Sequence, residues 1–329
     1  MIPGIVSRIF SIKSQDDFTQ TALEVFKYQA DENRIYRRFL EMMGTDPSSV
    51  GSLKIIPFLP AGFFRDHIVI TGDIPARLVF ESSGTTVTSS SRHYIADPDI
   101  YRESLMRAFS LFYGDPSEYF IAAILPSYTE RGNSSLVYMM DILIGKSRYD
   151  ASGFYRDDIT DLLSKIDTAK STGQKVFLIG VSFALLDLAE KYHPALSGVI
   201  VMETGGMKGR RKEITRSELH SVLKKGLNVE AVHSEYGMTE LLSQAYSKSD
   251  GLFQAPPWMK IMIRDPQDPL SYIDEPGRTG GISIIDLANI HSCSFIATDD
   301  LGRLHEDGGF EVLGRFDNSD VRGCNLLIE

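Results

Sequence analysis

The chain has 329 residues, 43% of them hydrophobic, and 34 Lys and Arg against 44 Asp and Glu give a formal net charge of −10. That length and apolar content suit one large α/β unit or two smaller ones, and the acidic balance argues against nucleic acid as a partner while leaving room for a small anionic ligand. Two cysteines, Cys293 and Cys324, stand in no metal-ligand spacing, and no run is long and apolar enough for membrane insertion or a signal peptide, so a reducing cytoplasm is the expected setting.

Residues 14–43 read as helix, interrupted once. Ser14 with Asp17 resembles a capping box, and Phe18, Leu23, Phe26, Tyr36, Phe39, Leu40 and Met43 recur at helical spacing before Gly44 and TDPSS end the pattern. Residues 55–59 form a short strand or an extended connector. HIVIT at 67–71 and ARLVF at 76–80 are predicted strands about the turn at 72–75. Asp97, Pro98 and Asp99 open a helix that turns Leu105, Ala108, Phe109 and Phe112 inward. Strands at 119–125, 175–180, 198–203 and 229–233 then alternate with helices at 134–144, 158–171, 183–192 and 215–225, the rhythm of a largely parallel sheet. Beyond 247, runs at 259–264, 280–286, 293–297 and 309–313 divided by Gly, Pro and Asp predict an antiparallel β subdomain. Neither a repeat nor a low-complexity linker divides the chain, which predicts one compact unit with subdomains.

The stretch FESSGTTVTSSSRH at 80–93 follows a predicted strand and is crowded with hydroxyls. Gly84 lets the backbone turn so that successive N–H groups face one point, and Ser82, Ser83, Thr85 and Thr86 add hydroxyl donors, a composition suited to phosphate. In open parallel sheets ligands sit beyond the carboxyl ends of the strands. Three further suspicious loops follow predicted strands there: GGMKG at 205–209, YGMTE at 236–240 and the pair Asp299 and Asp300. Glu240 suits a hard divalent cation on a polyphosphate, Tyr236 can stack on a base that Gly206 lets approach closely, Asp300 can accept from both ribose hydroxyls, and Arg315 can bridge ribose or phosphate. Taken singly, the serine-rich stretch is equally a solvated loop, the glycine pair equally a turn, and Glu240 equally a helix-start carboxylate.

SSGTT, YGMTE, TDDLG and GRFD together resemble the adenylate-forming superfamily of acyl-CoA synthetases, peptide-synthetase adenylation domains and luciferases. LPSYTERGNSSLVYMM at 125–140, METGGMKGRRKE at 202–213 and RGCNLL at 322–327 are similar more narrowly to the acyl-protein synthetases of bacterial bioluminescence. The resemblance implies the large N-terminal α/β domain of that fold over 1–317, with a β-rich subdomain at about 248–317. A tail at 318–329 carrying Cys324 would stand in place of the mobile C-terminal lid domain. It implies ATP and Mg2+ as cofactors, a carboxylic, most naturally fatty, acid as substrate, and a reductase or an acyl carrier protein as acyl acceptor. Residue by residue, Ser82, Ser83, Gly84, Thr85 and Thr86 would hold the β- and γ-phosphates. Gly205, Gly206 and Tyr236 would frame adenine, Thr239 would touch the α-phosphate, Glu240 would bind Mg2+, and Asp300 and Arg315 would take the ribose. Cys324 would receive the acyl group, its thiolate favoured by Arg322; Cys293, in a strand, is expected to be core.

Two departures from the family pattern matter. The phosphate loop runs Val87, Thr88, Ser89, Ser90 where the superfamily has Gly-x-Pro-Lys, so the clamping lysine is missing. Arg92 or His93 would have to compensate. The second departure is the C-terminal domain, which in the superfamily supplies a second catalytic lysine and is expected to be lacking here; Lys208, Arg210, Arg211 or a partner would have to make up that charge. A rival motif, Gly180, Val181, Ser182, Phe183, Ala184, approaches the G-x-S-x-G elbow of serine hydrolases, with His233 or His291 as base, but ends in Ala184 and leaves YGMTE and TDDLG unused. A third reading is a nucleotide- or acyl-binding protein without turnover.

Overall fold

The computed structural model describes residues 3–82, 90–125, 133–156, 158–205, 211 and 214–316. After a short α1 (Ile5–Ile9), the predicted capping box is present. The Ser14 side chain accepts from Asp17 N–H, the Asp17 carboxylate accepts from Ser14 N–H, and α2 (Gln15–Glu32) follows. Asn33 leaves helical geometry and caps α3 (Arg34–Met42), its side chain accepting from Ile35 and Tyr36 N–H, which explains the interruption. The chain then runs through β1 (Leu59–Pro60), α4 (Phe63–Asp66), β2 (Leu78–Glu81), β3 (Arg92–Ile95) and α5 (Pro98–Tyr113). Asp97 caps α5, with Pro98 in the first turn, where a missing N–H costs nothing. Next come β4 (Tyr119–Ile124), α6 (Ser135–Lys146), β5 (Gly153–Phe154), α7 (Ile159–Ser171), β6 (Lys175–Val181), α8 (Ser182–Tyr192), β7 (Ile200–Thr204) and α9 (Arg216–Leu227). The remainder is all strand apart from 3₁₀ turns: β8 (His233–Tyr236), β9 (Ala245–Ser247), β10 (Met259–Arg264), β11 (Tyr272–Ile273), β12 (Gly280–Asp286), β13 (Phe295–Leu304) and β14 (Phe310–Arg315).

One sheet has the order β5-β4-β6-β7-β8-β9, parallel except for β9. Its central runs are continuously apolar because helices cover it: every residue of β4, and β6 beyond Lys175, is buried. The second sheet, β1-β13-β12-β10-β11 with β14 on β13, is antiparallel except where β1 joins β13. Phe295 anchors it, its ring 5.8 Å from Phe26, 6.2 Å from Tyr36 and 5.9 Å from Phe58. Burial of such rings is the main term holding α2 and α3 to this sheet.

Three expectations need correction. Residues 67–71 are not a strand; Thr71 N–H donates to His291 O and Gly72 N–H to Glu32 O, single contacts that satisfy the backbone without a ladder. The strand expected at 229–233 is displaced to β8, because Asn228 closes α9 in the left-handed conformation and a connector follows. The run at 293–297 continues to Leu304, so Asp299 and Asp300 lie within β13 instead of after it.

Candidate active site

The ends of three strands and a hairpin converge beside the parallel sheet. Tyr236 is the last residue of β8, almost fully buried, its ring 5.9 Å from Phe253 and 5.7 Å from Phe310. Its hydroxyl donates to Asp300 Oδ2 at 2.7 Å. Arg315, directly across the β13–β14 ladder, donates from Nε to Asp300 Oδ1 at 3.2 Å. Burial and the Asp300 carboxylate hold the Tyr236 phenol far above its ordinary pKa, so it remains a donor. Each Asp300 oxygen thus has one partner and one lone pair left, enough to accept from a vicinal diol.

Glu240 lies four residues on, 6% exposed. Burial raises its carboxyl above the usual value; a hydrogen bond from Ser91 and the charge of Arg315 oppose that rise, and the charge of Asp300 adds to it. A buried carboxylate here suits a single-carboxylate hold on Mg2+, which would keep water and phosphate as its other ligands. Among the described residues no group of three His, Cys, Asp or Glu could form an all-protein metal cage.

Ser82 closes the neck of the β2–β3 hairpin: its N–H donates to Ser91 O and its hydroxyl oxygen accepts from Ser91 N–H, both at 2.9 Å. Gly205, next after β7, has φ 68°, which a side chain would strain, and its carbonyl accepts from Ser182 Oγ at 2.7 Å. Ser182 opens α8 as an elbow serine would, yet it is buried and its hydroxyl also reaches Glu203 Oε2 at 3.3 Å. His233 bonds Tyr113 instead. The geometry makes Ser182 a fastening for the Gly205 turn, not a nucleophile.

Structure thus brings Tyr236, Thr239, Glu240, Asp300, Arg315 and the hairpin neck at Ser82 to one region. Ser83, Gly84, Thr85, Thr86, Gly206, Lys208, Arg210 and Cys324 lie outside the described residues. Cys293 is wholly buried, its thiol pushed up to about 12, as expected of core.

Two proposed substitutes, one for each missing lysine, are engaged elsewhere. His93 is fully buried, its Nδ1 2.9 Å from Thr239 O and its Nε2 2.8 Å from Ser292 Oγ, and burial lowers its pKa to about 4, so it is neutral and faces no phosphate. Arg211 is bound to Asp187 and Glu190 of α8. Arg92 remains exposed.

Sequence reasoning missed the polar side chains behind the motif. Asp286 accepts from Leu242 N–H and Ser243 N–H, each at 2.9 Å, and Asn289 donates to Glu240 O at 2.8 Å. Glu235 is buried beside Thr204, whose hydroxyl it accepts, and is pushed up to about 7 by burial. Gly237 makes room for it: a Cβ there would sit 2.4 Å from Glu235 Oε1.

No family model matches the chain. A long-chain-fatty-acid–luciferin-component ligase of Vibrio harveyi is 21% identical over 345 residues, spanning 96% of this chain and 89% of that protein. Among solved structures, the luciferase-like enzyme from the nonluminescent Zophobas morio mealworm is similar with a TM-score of 0.52 at 16% identity, over 75% of this chain and 60% of that one. O-succinylbenzoate coenzyme A synthetase from Bacillus subtilis, in complex with AMP, gives 0.51 at 19% over 74% and 50%. A long-chain-fatty-acid-CoA ligase from Archaeoglobus fulgidus gives 0.51 at 15% over 73% and 51%. The chain therefore spans half to three fifths of these solved proteins, and the part it shares is an α/β fold with mixed sheets. The resemblance drawn from the motifs holds in sequence and in fold.

Proposed function

We propose that this chain, related along nearly its whole length to a ligase of fatty acids and folded like the adenylate-forming enzymes, activates a carboxylic acid with Mg·ATP and passes the acyl group to a protein thiol. The observation that supports this most is the Tyr236–Asp300–Arg315 constellation beside Glu240 at the strand ends. Asp300, oriented by the Tyr236 hydroxyl and Arg315, accepts from the ribose hydroxyls. Glu240 would hold Mg2+, and the ion when bound would supply neutralisation of charge on the phosphates. Thr239 would touch the α-phosphate, and Ser82 with the hydroxyl-rich sequence that follows it would meet the β- and γ-phosphates.

A substrate carboxylate oxygen attacks the α-phosphorus, the bond to pyrophosphate breaks, and acyl-adenylate results. A thiolate then attacks the acyl carbon and AMP departs with the bonding electrons. Catalysis of the first step is positioning plus charge neutralisation. The acceptor thiol is Cys324 or one on a reductase or carrier protein, and the acid is fatty by analogy with the Vibrio harveyi ligase. Among the described residues no helix is long and apolar enough to cross a membrane, which fits an enzyme working in water.

The test is incubation with ATP, Mg2+ and a panel of acids of graded chain length, with hydroxylamine to trap the activated acyl group. Hydroxamate and pyrophosphate should form together and fall about a hundredfold or more in Glu240→Ala, the loss typical of a charge-stabilising group. Pyrophosphate release with no acid in the panel, or full activity in Glu240→Ala, would refute the assignment.

A further inference from the structure

The β2–β3 hairpin approaches the YGMTE segment at two successive residues. Ser91, next before β3, lowers the Glu240 carboxyl against the effect of burial, and His93 of β3 reaches the carbonyl of Thr239 at 2.9 Å. Because a carbonyl only accepts, Nδ1 must carry the proton, and Nε2 then accepts from Ser292 Oγ at 2.8 Å. Ser292 belongs to the same turn as Asn289, which donates to Glu240 O at 2.8 Å and to Cys293 O at 3.1 Å. Just beyond, the N–H groups of Leu242 and Ser243 are taken by Asp286. The backbone is thus held by side chains at 239, 240, 242 and 243, with Leu241 N–H donating to Met238 O between them, and His93 is the point that belongs to the hairpin. On the other side of His93, Phe80 is its partner in the β2–β3 ladder, and Ser82 with Ser91 closes the neck two residues away.

We infer that His93 is a positioning residue: its imidazole ties the β2–β3 hairpin, whose neck is closed by Ser82 and Ser91, to the backbone that carries Thr239 and Glu240, fixing the spacing between that neck and the Glu240 carboxylate. The functional half of this rests on the adenylation reading; the mechanical half does not. A neutral, fully buried ring bonded at both nitrogens has one orientation, so the two catalytic segments move as one body. An isolated hairpin of four-residue strands would otherwise be only marginally ordered.

Three variants separate the possibilities. His93→Leu removes both bonds. His93→Asn keeps an amide N–H in the place of Nδ1 and so keeps the bond to Thr239 O. Ser292→Ala leaves His93 in place but frees its tautomer. Backbone amide exchange over 240–243 should quicken about tenfold in His93→Leu, the scale of one lost buried hydrogen bond, and return to within about threefold of the parent in His93→Asn. In the hydroxamate assay KM for Mg·ATP should rise about tenfold in His93→Leu with a smaller change in kcat, and His93→Asn should recover it. Unchanged exchange over 240–243 overturns the coupling. Faster exchange with KM unmoved, or a KM defect that His93→Asn does not recover, overturns the positioning role. If the parent protein makes no hydroxamate with any acid, the adenylation reading fails while the exchange experiment still decides the coupling. Should His93→Leu not fold, Ser292→Ala carries both readouts, with a change of about threefold expected in each.

Discussion

Glu235 is a carboxyl group in a place that favours its acid form. It stands between Thr204 and Tyr246 in one row across β7, β8 and β9, fully buried, and its pKa is pushed up to about 7. A group that binds its proton more tightly when folded stabilises the fold below its unfolded pKa and loses that contribution as pH rises through the folded one. The window here runs from about 4.5 to about 7. Glu235→Gln keeps an acceptor for Thr204 but cannot ionise. It should match the parent in thermal or urea unfolding at about pH 4 and be more stable by roughly 3 kcal/mol at about pH 8. Equal stability at both would mean that the charged form is accommodated. Asp286, pushed up to about 6 by burial, has the same sign over a narrower window and is the background against which the comparison must be read.

Among the elements, α8 and α9 meet more closely than side chains normally permit. A Cβ on Gly226 would lie 2.7 Å from Ala189 Cβ and 3.2 Å from its carbonyl oxygen. Alanine is the better helix former by about 1 kcal/mol, yet the clash requires the two helices to separate. Gly226→Ala should therefore lower stability by about 1–3 kcal/mol in denaturant unfolding; a gain would show that the helices part at no cost.

The same scale explains what could be read from the chain beforehand. Elements with their own punctuation were legible: Ser14 and Asp17 start α2, Asp97 and Pro98 start α5, and the apolar runs of β4, β6, β10 and β12 lie where expected. Residues 67–71 misled because a β-branched run with no strand beside it does not become one. Tyr236, Glu240, Asp300 and Arg315 were legible as a set through motif words. His93 was legible only as a residue near phosphate, and its actual partners, Thr239 O and Ser292, are 146 and 199 residues away. Asp286 and Asn289 belong to no motif and act on backbone, so pattern alone had nothing to find.

At the scale of the molecule, the N-terminal helices are fastened to the late turn at 289–294 by buried amides. Gln29 donates to Asn289 O at 2.9 Å and Ile290 O at 3.1 Å and accepts from Ser294 N–H at 2.9 Å, while Asn33 donates to Ser292 O at 2.8 Å. That turn also holds Thr239 and Glu240 through His93 and Asn289. Gln29→Ala takes the side-chain partner from Ile290 O and Ser294 N–H, while Asn289 O keeps Ser292 N–H, and should cost roughly 3 kcal/mol in unfolding. A loss under about 1 kcal/mol would mean that water replaces the amide in full.

Gln29 and Asn289 are 260 residues apart, and β1 waits nearly as long for β13, Leu59 pairing with Ile296. On a ribosome adding about 5–20 residues per second, α2 and α3 emerge roughly ten to fifty seconds before the chain that covers them exists. During that interval Phe26 and Tyr36, which Phe295 later shields, face water or a chaperone. Slowing translation should lengthen this vulnerable period, and the yield of folded protein in the cell should depend on holdase supply more than on any property of the finished molecule.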